Sequence, residues 1–245
     1  MKIGIISDAH GNLEALTTSI LFLKDKTDFL AVLGDTVGYG PNPEECINVV
    51  VSEANLILKG NHEEGIITGN YRAFKEAARI ALEWTEKILS DNALTSIKNF
   101  KEKDEMDDVL FVHASISSPL FKYILIGKDA KEEFALLDKS VCFFGHTHMP
   151  VGYRKNQENE QIETIPSDFS GRLKIEISPG YKYLINVGST GQPRDGFPFA
   201  CVSVYDTEKR LFNLYRIEYP VETTRQKILD RGLPSILARR VYQGI

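Results

Sequence analysis

The chain has 245 residues, 42% of them hydrophobic and 26% charged, a composition close to that of an ordinary folded domain and unlike that of a disordered chain. Lys and Arg number 29 against 34 Asp and Glu, and a formal charge of −5 argues against a protein that tracks long nucleic acid by neutralising phosphates. No apolar run approaches the ~20 residues of a membrane helix, and Cys46, Cys142 and Cys201 lie too far apart for a disulfide framework or a C-x-x-C zinc site.

Taken in chain order, Ile3 to Ile6 reads as a strand that stops at Asp8-Ala9-His10. It lacks the charged, apolar and small-residue order of a secretory leader, so the expected compartment is the cytoplasm, with reduced, mostly buried thiols. Asn12 is a candidate N-cap for a helix with Leu13, Leu16, Ile20 and Leu23 on one face. Phe29 to Leu33 is a second strand running into Gly34-Asp35, and the glycines of Gly38-Tyr39-Gly40-Pro41 suggest a loop close to a ligand. Asn42-Pro43-Glu44-Glu45 opens another helix, with proline at its first position and acids in its first turn.

Leu56 to Leu58 leads to Gly60-Asn61-His62, and Phe74, Ala77, Ala81, Trp84 and Ile88 mark a longer helix. Asp91 to Phe100 reads as helix, and the charge run from Lys101 to Glu105 as a solvated connection. Val109 to Val112 is a strand ending at His113, Asp129 to Asp138 a short helix, and Val141 to Phe144 a strand ending at Gly145-His146-Thr147-His148. From Val151 the texture is β-rich, with runs at 151–154, 161–165, 172–177, 183–187, 200–205 and 211–219, the last two joined by a turn at Asp206-Thr207-Glu208-Lys209. Gly188 to Asp195 is a glycine-containing turn ending in Arg194, able to offer backbone donors and a guanidinium to phosphate. The tail from Val221 to Tyr242 returns to helix, broken at Gly232 with Pro234 opening a second segment.

All five histidines fall in these polar motifs, beside Asp, Asn and Gly, and five strands deliver a donor at their C-terminal ends. Ligand sites of layered α/β proteins gather where such ends converge. Imidazoles mixed with hard oxygen donors and no thiolate indicate a metal centre for manganese, iron, zinc, cobalt or nickel. In an extended segment residues two apart share a side, so Asp8 and His10 could reach one ion together, as the same spacing of His146 and His148 would allow. With no linker or internal repeat, residues 1–245 read as a single domain with the helical segment 221–243 packed on it, and two face-to-face sheets with outer helices would hold both halves.

The ordered series D-x-H, G-D, G-N-H, H, G-H-x-H resembles the calcineurin-like metallophosphoesterase superfamily, and the stretches 34–41 and 188–195 look like its bacterial diadenosine-tetraphosphatase-like or protein-phosphatase-like branch. The resemblance implies an α/β fold, a four-layer αββα sandwich of two mixed sheets, with a dinuclear metal centre. Carried onto matching positions, it gives Asp8, His10, Asp35 and His148 to one ion and Asp35, Asn61, His113 and His146 to the second, with Asp35 bridging. It also places His62 near the leaving oxygen as general acid or cationic stabiliser, the rival role being a brace for Asn61. Arg194 is a candidate phosphate ligand against an ion pair with Asp195 or a loop-bracing role, and Tyr39 a candidate for stacking on a leaving group against simple loop packing.

The implied reaction is hydrolysis of a phosphomonoester or phosphodiester by in-line attack of a metal-bridging hydroxide. Relatives that act as eukaryotic Ser/Thr protein phosphatases carry a second Asp and an Arg after the bridging Asp. Here that stretch reads Thr36-Val37-Gly38-Tyr39-Gly40, which leaves Glu63 as the nearest sequence candidate for orienting His62. A small phosphoester is the expected substrate, with no membrane partner and long nucleic acid disfavoured. The alternatives are a dinucleoside polyphosphate hydrolase, a nuclease, and a non-catalytic scaffold on the same fold.

Overall fold

The computed structural model describes residues 1–245 as twelve strands and eight helices, the strands forming two six-stranded sheets. In the first sheet β1 (Lys2–Ile6), β2 (Phe29–Val32) and β3 (Leu56–Ile57) run parallel, and β1 continues antiparallel into β11 (Ala200–Asp206), β12 (Leu211–Ile217) and β9 (Leu173–Glu176). The second sheet has the order β4 (Lys103–Met106), β5 (Val109–Val112), β6 (Val141–Phe144), β10 (Tyr181–Asn186), β7 (Val151–Asn156) and β8 (Ile162–Pro166), with β5, β6 and β10 parallel.

Alternation along the strands decides what each face covers. Ile3 and Ile5 of β1, Ala31 of β2, Phe111 of β5, Phe143 of β6, Ile185 of β10 and Phe212 of β12 point into one apolar core between the sheets. Ile6, Leu30, Val32, Val202 and Val204 point the other way, under α1 (Leu13–Leu23), α2 (Pro43–Glu53) and α5 (Asp91–Lys98). On the outer face of the second sheet Cys142, Phe144, Tyr153 and Leu184 pack with Ala130 and Phe134 of α6 (Gly127–Phe134). The result is the expected αββα sandwich, one outer layer several helices wide and the other a single helix. No helix is long and apolar enough to cross a membrane, and all three cysteines are free and buried.

Three local expectations change. The charged stretch Lys103–Met106 is an edge strand, not a connection: its residues alternate between exposed and half-buried while the backbone pairs with β5, as suits a charge-protected sheet edge. A helix that hydrophobic periodicity does not announce, α3 (Asn61–Thr68), begins on the G-N-H motif itself. The short helix expected from Asp129 to Asp138 ends at Phe134 and begins two residues earlier, the Asp129 carboxylate accepting hydrogen bonds from the amides of Leu125 and Ile126 and so capping that start from within the first turn.

The Asn12 side chain accepts from Ala15 N at the head of α1, as its cap role predicts, whereas Asn42 makes no side-chain cap and α2 starts on Pro43. At the far end of the chain α7 (Val221–Asp230) and α8 (Ser235–Gln243) pack on α4 (Glu76–Ile88) through Ile228, Leu237, Val241 and Ala81.

Candidate metal centre

Each expected donor follows the C-terminal end of a parallel strand: Asp8 after β1, Asp35 after β2, Asn61 after β3, His113 after β5 and His146 after β6. The two sheets bring these ends to one seam, where His146 N of the second sheet donates to Asp8 Oδ2 of the first at 3.0 Å. All the donors are buried. Their ligand atoms fall into three overlapping groups: Asp8 with His10 and His148, Asp35 with His113 and His146, and His10 with Asp35 and His62.

The rings are aimed by the backbone. His10 Nδ1 donates to Val37 O at 3.0 Å, His113 Nδ1 to Leu33 O at 2.8 Å and His148 Nδ1 to Gln192 O at 2.6 Å. His146 is turned over, its Nε2 donating to Phe121 O at 3.3 Å. A carbonyl can only accept, so the nitrogen on it carries the hydrogen and the opposite nitrogen carries a lone pair. Those lone pairs face one another: His10 Nε2 and His148 Nε2 are 3.0 Å apart, and His113 Nε2 and His146 Nδ1 are 3.2 Å apart. Asp8 Oδ1, 3.3 Å from His148 Nε2, is buried with no hydrogen-bond partner. Two sets of converging lone pairs and an orphaned carboxylate oxygen repel one another unless a cation stands among them, and the Asp and His groups fit metal ions on this test.

The electrostatics agree. Burial, then the neighbouring His62, His148 and Arg194, hold His10 well below the usual imidazole range, and His146 is lowered to about 3 by burial and His113. Neutral imidazoles are the form that binds metal. Burial drives Asp35 well above the usual carboxylate range, with Glu63 and Asp8 adding to it. Burial also works to raise Asp8, but His148 and His113 outweigh it and the net shift is downward.

His62 lies in the first turn of α3, its amide donating to Asp35 Oδ1 at 2.8 Å. Its ring stands 4.5 Å from the His10 ring and edge-on to Phe74 at 5.2 Å, and its Nδ1 is buried without a partner. Glu63 does not orient it. The Glu63 carboxylate instead accepts from Asp35 N, Val37 N and Gly60 N at 3.0, 3.0 and 2.8 Å, tying the Asp35 loop to the start of α3.

The 188–195 turn also departs from expectation. Its donors are turned inward, Thr190 N to Ser7 O, Gly191 N to Asp8 O and Ser189 Oγ to Asp8 O, so they brace the first ligand loop and leave little for phosphate. Arg194 makes no ion pair with Asp195, which is bound to Arg216. Its Nη2 donates to Tyr39 OH at 3.3 Å and Gln192 Oε1 at 3.1 Å, and its guanidinium lies over the Tyr39 ring.

Above the donors opens a cleft of about 380 Å³ whose floor holds Asp35, Asn61, His62, His146 and His148. Tyr39 and Arg194 line it. So do Phe74, which the sequence reading gave to a helix core, and Phe121, Tyr123, Lys75 and Arg240, which it did not single out. Tyr123 stacks on His146 with ring centroids 4.1 Å apart.

Comparison with known proteins follows the same line. A family model described as the calcineurin-like phosphoesterase superfamily domain matches residues 1–210. An uncharacterized protein of Methanocaldococcus jannaschii, MJ0912, is 31% identical over 248 residues, covering 99% of this chain and 98% of its own. The crystal structure of a metallophosphoesterase from Sphaerobacter thermophilus superposes with a TM-score of 0.87 at 34% identity, covering 100% of this chain and 99% of that one. The hypothetical protein PH1004 of Pyrococcus horikoshii shares the fold, with a TM-score of 0.78 at 16% identity over 100% of this chain and 98% of its own.

Proposed function

The chain belongs to the calcineurin-like phosphoesterase superfamily, and from that membership we propose that it hydrolyses a small phosphomonoester or phosphodiester at the cleft above Asp35. The observation that carries this reading is the reach of one carboxylate to both donor groups, Asp35 Oδ2 lying 3.6 Å from His10 Nε2 and 3.5 Å from His113 Nε2. One divalent or transition-metal ion would be held by Asp8, His10, Asp35 and His148 and a second by Asp35, Asn61, His113 and His146. Two such ions supply Lewis acidity and an activated water.

The chain's own residues do the rest. Asn61 brings a neutral carbonyl oxygen, which limits the negative charge facing an anionic substrate. Burial, then His148, His113 and Arg194, keep the His62 imidazole well below its ordinary value while the cleft is empty. A phosphate dianion beside it reverses the sign of its surroundings and favours the protonated ring. The ring nitrogen on the side of the centre is Nε2, 3.9 Å from Asp35 Oδ2, and it is this atom that would give the proton to the leaving oxygen. Arg194, Tyr39, Phe74 and Tyr123 line the cleft and would bound the substrate. We read residues 1–245 as one domain, and the three free thiols as residence in the reducing cytoplasm.

The test is elemental analysis of protein purified without chelator, then assay of the same sample on p-nitrophenyl phosphate, its bis ester and diadenosine tetraphosphate. We expect metal, and hydrolysis of at least one ester. His62→Asn should keep the metal and lose turnover by roughly 10²- to 10⁴-fold. A metal-loaded protein inert on all three esters would favour the scaffold reading, and an undiminished His62→Asn rate on a poor leaving group would remove the acid role.

A further inference from the structure

Two arginines face the cleft without an anion to neutralise them. Arg194 comes from the loop after β10 and Arg240 from α8, beyond the stretch that the family model matches. Neither lies within ion-pair reach of a carboxylate, and the nearest in sequence, Asp195, is taken by Arg216. Arg194 is held only by the neutral oxygens of Tyr39 and Gln192, and its Nε is buried with no acceptor. Burial and then Arg194 lower the Arg240 guanidinium from its usual range, the mark of two like charges sharing one wall.

Both positions are fixed by packing. Leu237, Ala238 and Val241 bury the inner face of α8. Gly244 ends the helix in the left-handed region at φ 69°, accepts from Gly196 N at 2.8 Å and lies so close to the Phe197 backbone that a Cβ there would clash. The end of α8 is thereby docked on the loop that follows Arg194. An arrangement that holds two cations together costs stability when empty and is offset when an anion joins them.

We propose that Arg194 and Arg240 form a clamp for a second phosphate group, so that the preferred substrate carries two phosphates, one over the Asp35 centre and one on the guanidinium pair. This rests on the phosphoesterase reading. Arg240 is then a specificity-determining residue, supplied by the C-terminal helix pair, and compounds with a single phosphate use the centre without it.

The test is calorimetric binding of AMP, ADP and adenosine 3′,5′-bisphosphate to metal-loaded protein, with hydrolysis followed separately. Wild type should bind one or both bisphosphorylated probes at least tenfold more tightly than AMP, an anhydride-linked pair favouring ADP and a separated pair the bisphosphate. Arg240→Gln, which keeps most of the side-chain length, should abolish that preference and change AMP binding less than twofold; Arg240→Lys should restore part of it. Arg239→Gln removes the same charge from an exposed site on the same helix and should leave the preference intact, and thermal melts establish that each variant is folded. The proposal is overturned if wild type shows no preference, if Arg240→Gln keeps it, if AMP and ADP weaken equally, or if Arg239→Gln has the same effect. Loss of hydrolysis with the clamp intact would count against the enzyme reading alone, and hydrolysis without an Arg240-dependent preference against the clamp alone.

Discussion

Six of the nine non-glycine residues with positive φ belong to the centre or its rim: Asp8, His10, Asp35, Tyr39, His146 and His148. Such backbone costs about 1–3 kcal/mol per residue and persists only where the surroundings over-determine it. It changes how the motifs work. Asp8 and His10 converge from left-handed turns and not from an extended segment, and His146 and His148, two apart, diverge to different donor groups. Gly38 performs the matching task for His62. At φ 89° it lies against the imidazole, where a Cβ would run into Nδ1, so the ring is oriented by steric contact with Gly38, Phe74 and His10. Gly38→Ala should therefore displace His62, cost about 1–3 kcal/mol by overpacking, and cut turnover to within tenfold of His62→Asn with metal content unchanged; wild-type turnover would show that ring position does not matter. The donors were legible in the sequence because every histidine belongs to a motif of the series. The carbonyls of Leu33, Val37, Phe121 and Gln192 that set each tautomer were not, since a backbone oxygen carries no residue signature.

Elements differ in how plainly they announce themselves. Past the exposed Lys2 that opens β1, the strands before Asp8, Asp35 and His146 carry no polar side chain, because both faces are covered, and they read directly. β4 did not, because a half-exposed edge strand carries charges, and neither did α3, whose apolar face is short and whose first turn is given over to Asn61, His62 and Glu63. The link between α6 and the centre was equally hidden. Glu133, fully buried on α6, accepts from Ser117 N at 2.9 Å, Ser117 Oγ at 2.6 Å and Lys122 Nζ at 2.8 Å, pinning the loop that delivers Phe121 O and the Tyr123 ring to His146. Burial opposes its ionisation, but Lys122 and Ser117 outweigh that and lower its pKa on folding. A lowered carboxylate contributes stability that is present above its unfolded value, about 4.3, and lost as pH falls through the folded one. Glu133→Gln should accordingly lower the melting temperature at pH 7, by a deficit equivalent to about 1–3 kcal/mol, and the gap to wild type should narrow below pH 4. A gap that is constant with pH would assign the effect to packing.

At the scale of the whole molecule, two parallel strand bundles from separate sheets end against each other, and the donors are drawn from both: Asp8, His10, Asp35, Asn61 and His62 from the first, His113, His146 and His148 from the second. The apolar core between the sheets stops short of this seam, where buried carboxylates and imidazole lone pairs meet instead. A cation bound there would join the sheets, and by linkage its affinity would add to folding stability. One ion at a hundredfold excess over its Kd contributes about 2.7 kcal/mol, and a chain of this size changes its melting temperature by roughly 2–4 °C per kcal/mol. Removing metal with a chelator should thus lower the melting temperature by about 5–11 °C, and readdition of manganese or zinc should restore it. Asp35→Asn, which keeps the shape but not the charge shared by both donor groups, should melt near the chelated wild type and respond weakly to chelator. A chelator-insensitive wild type, with Asp35→Asn as stable as the untreated protein, would mean that the sheets hold the seam together without an ion.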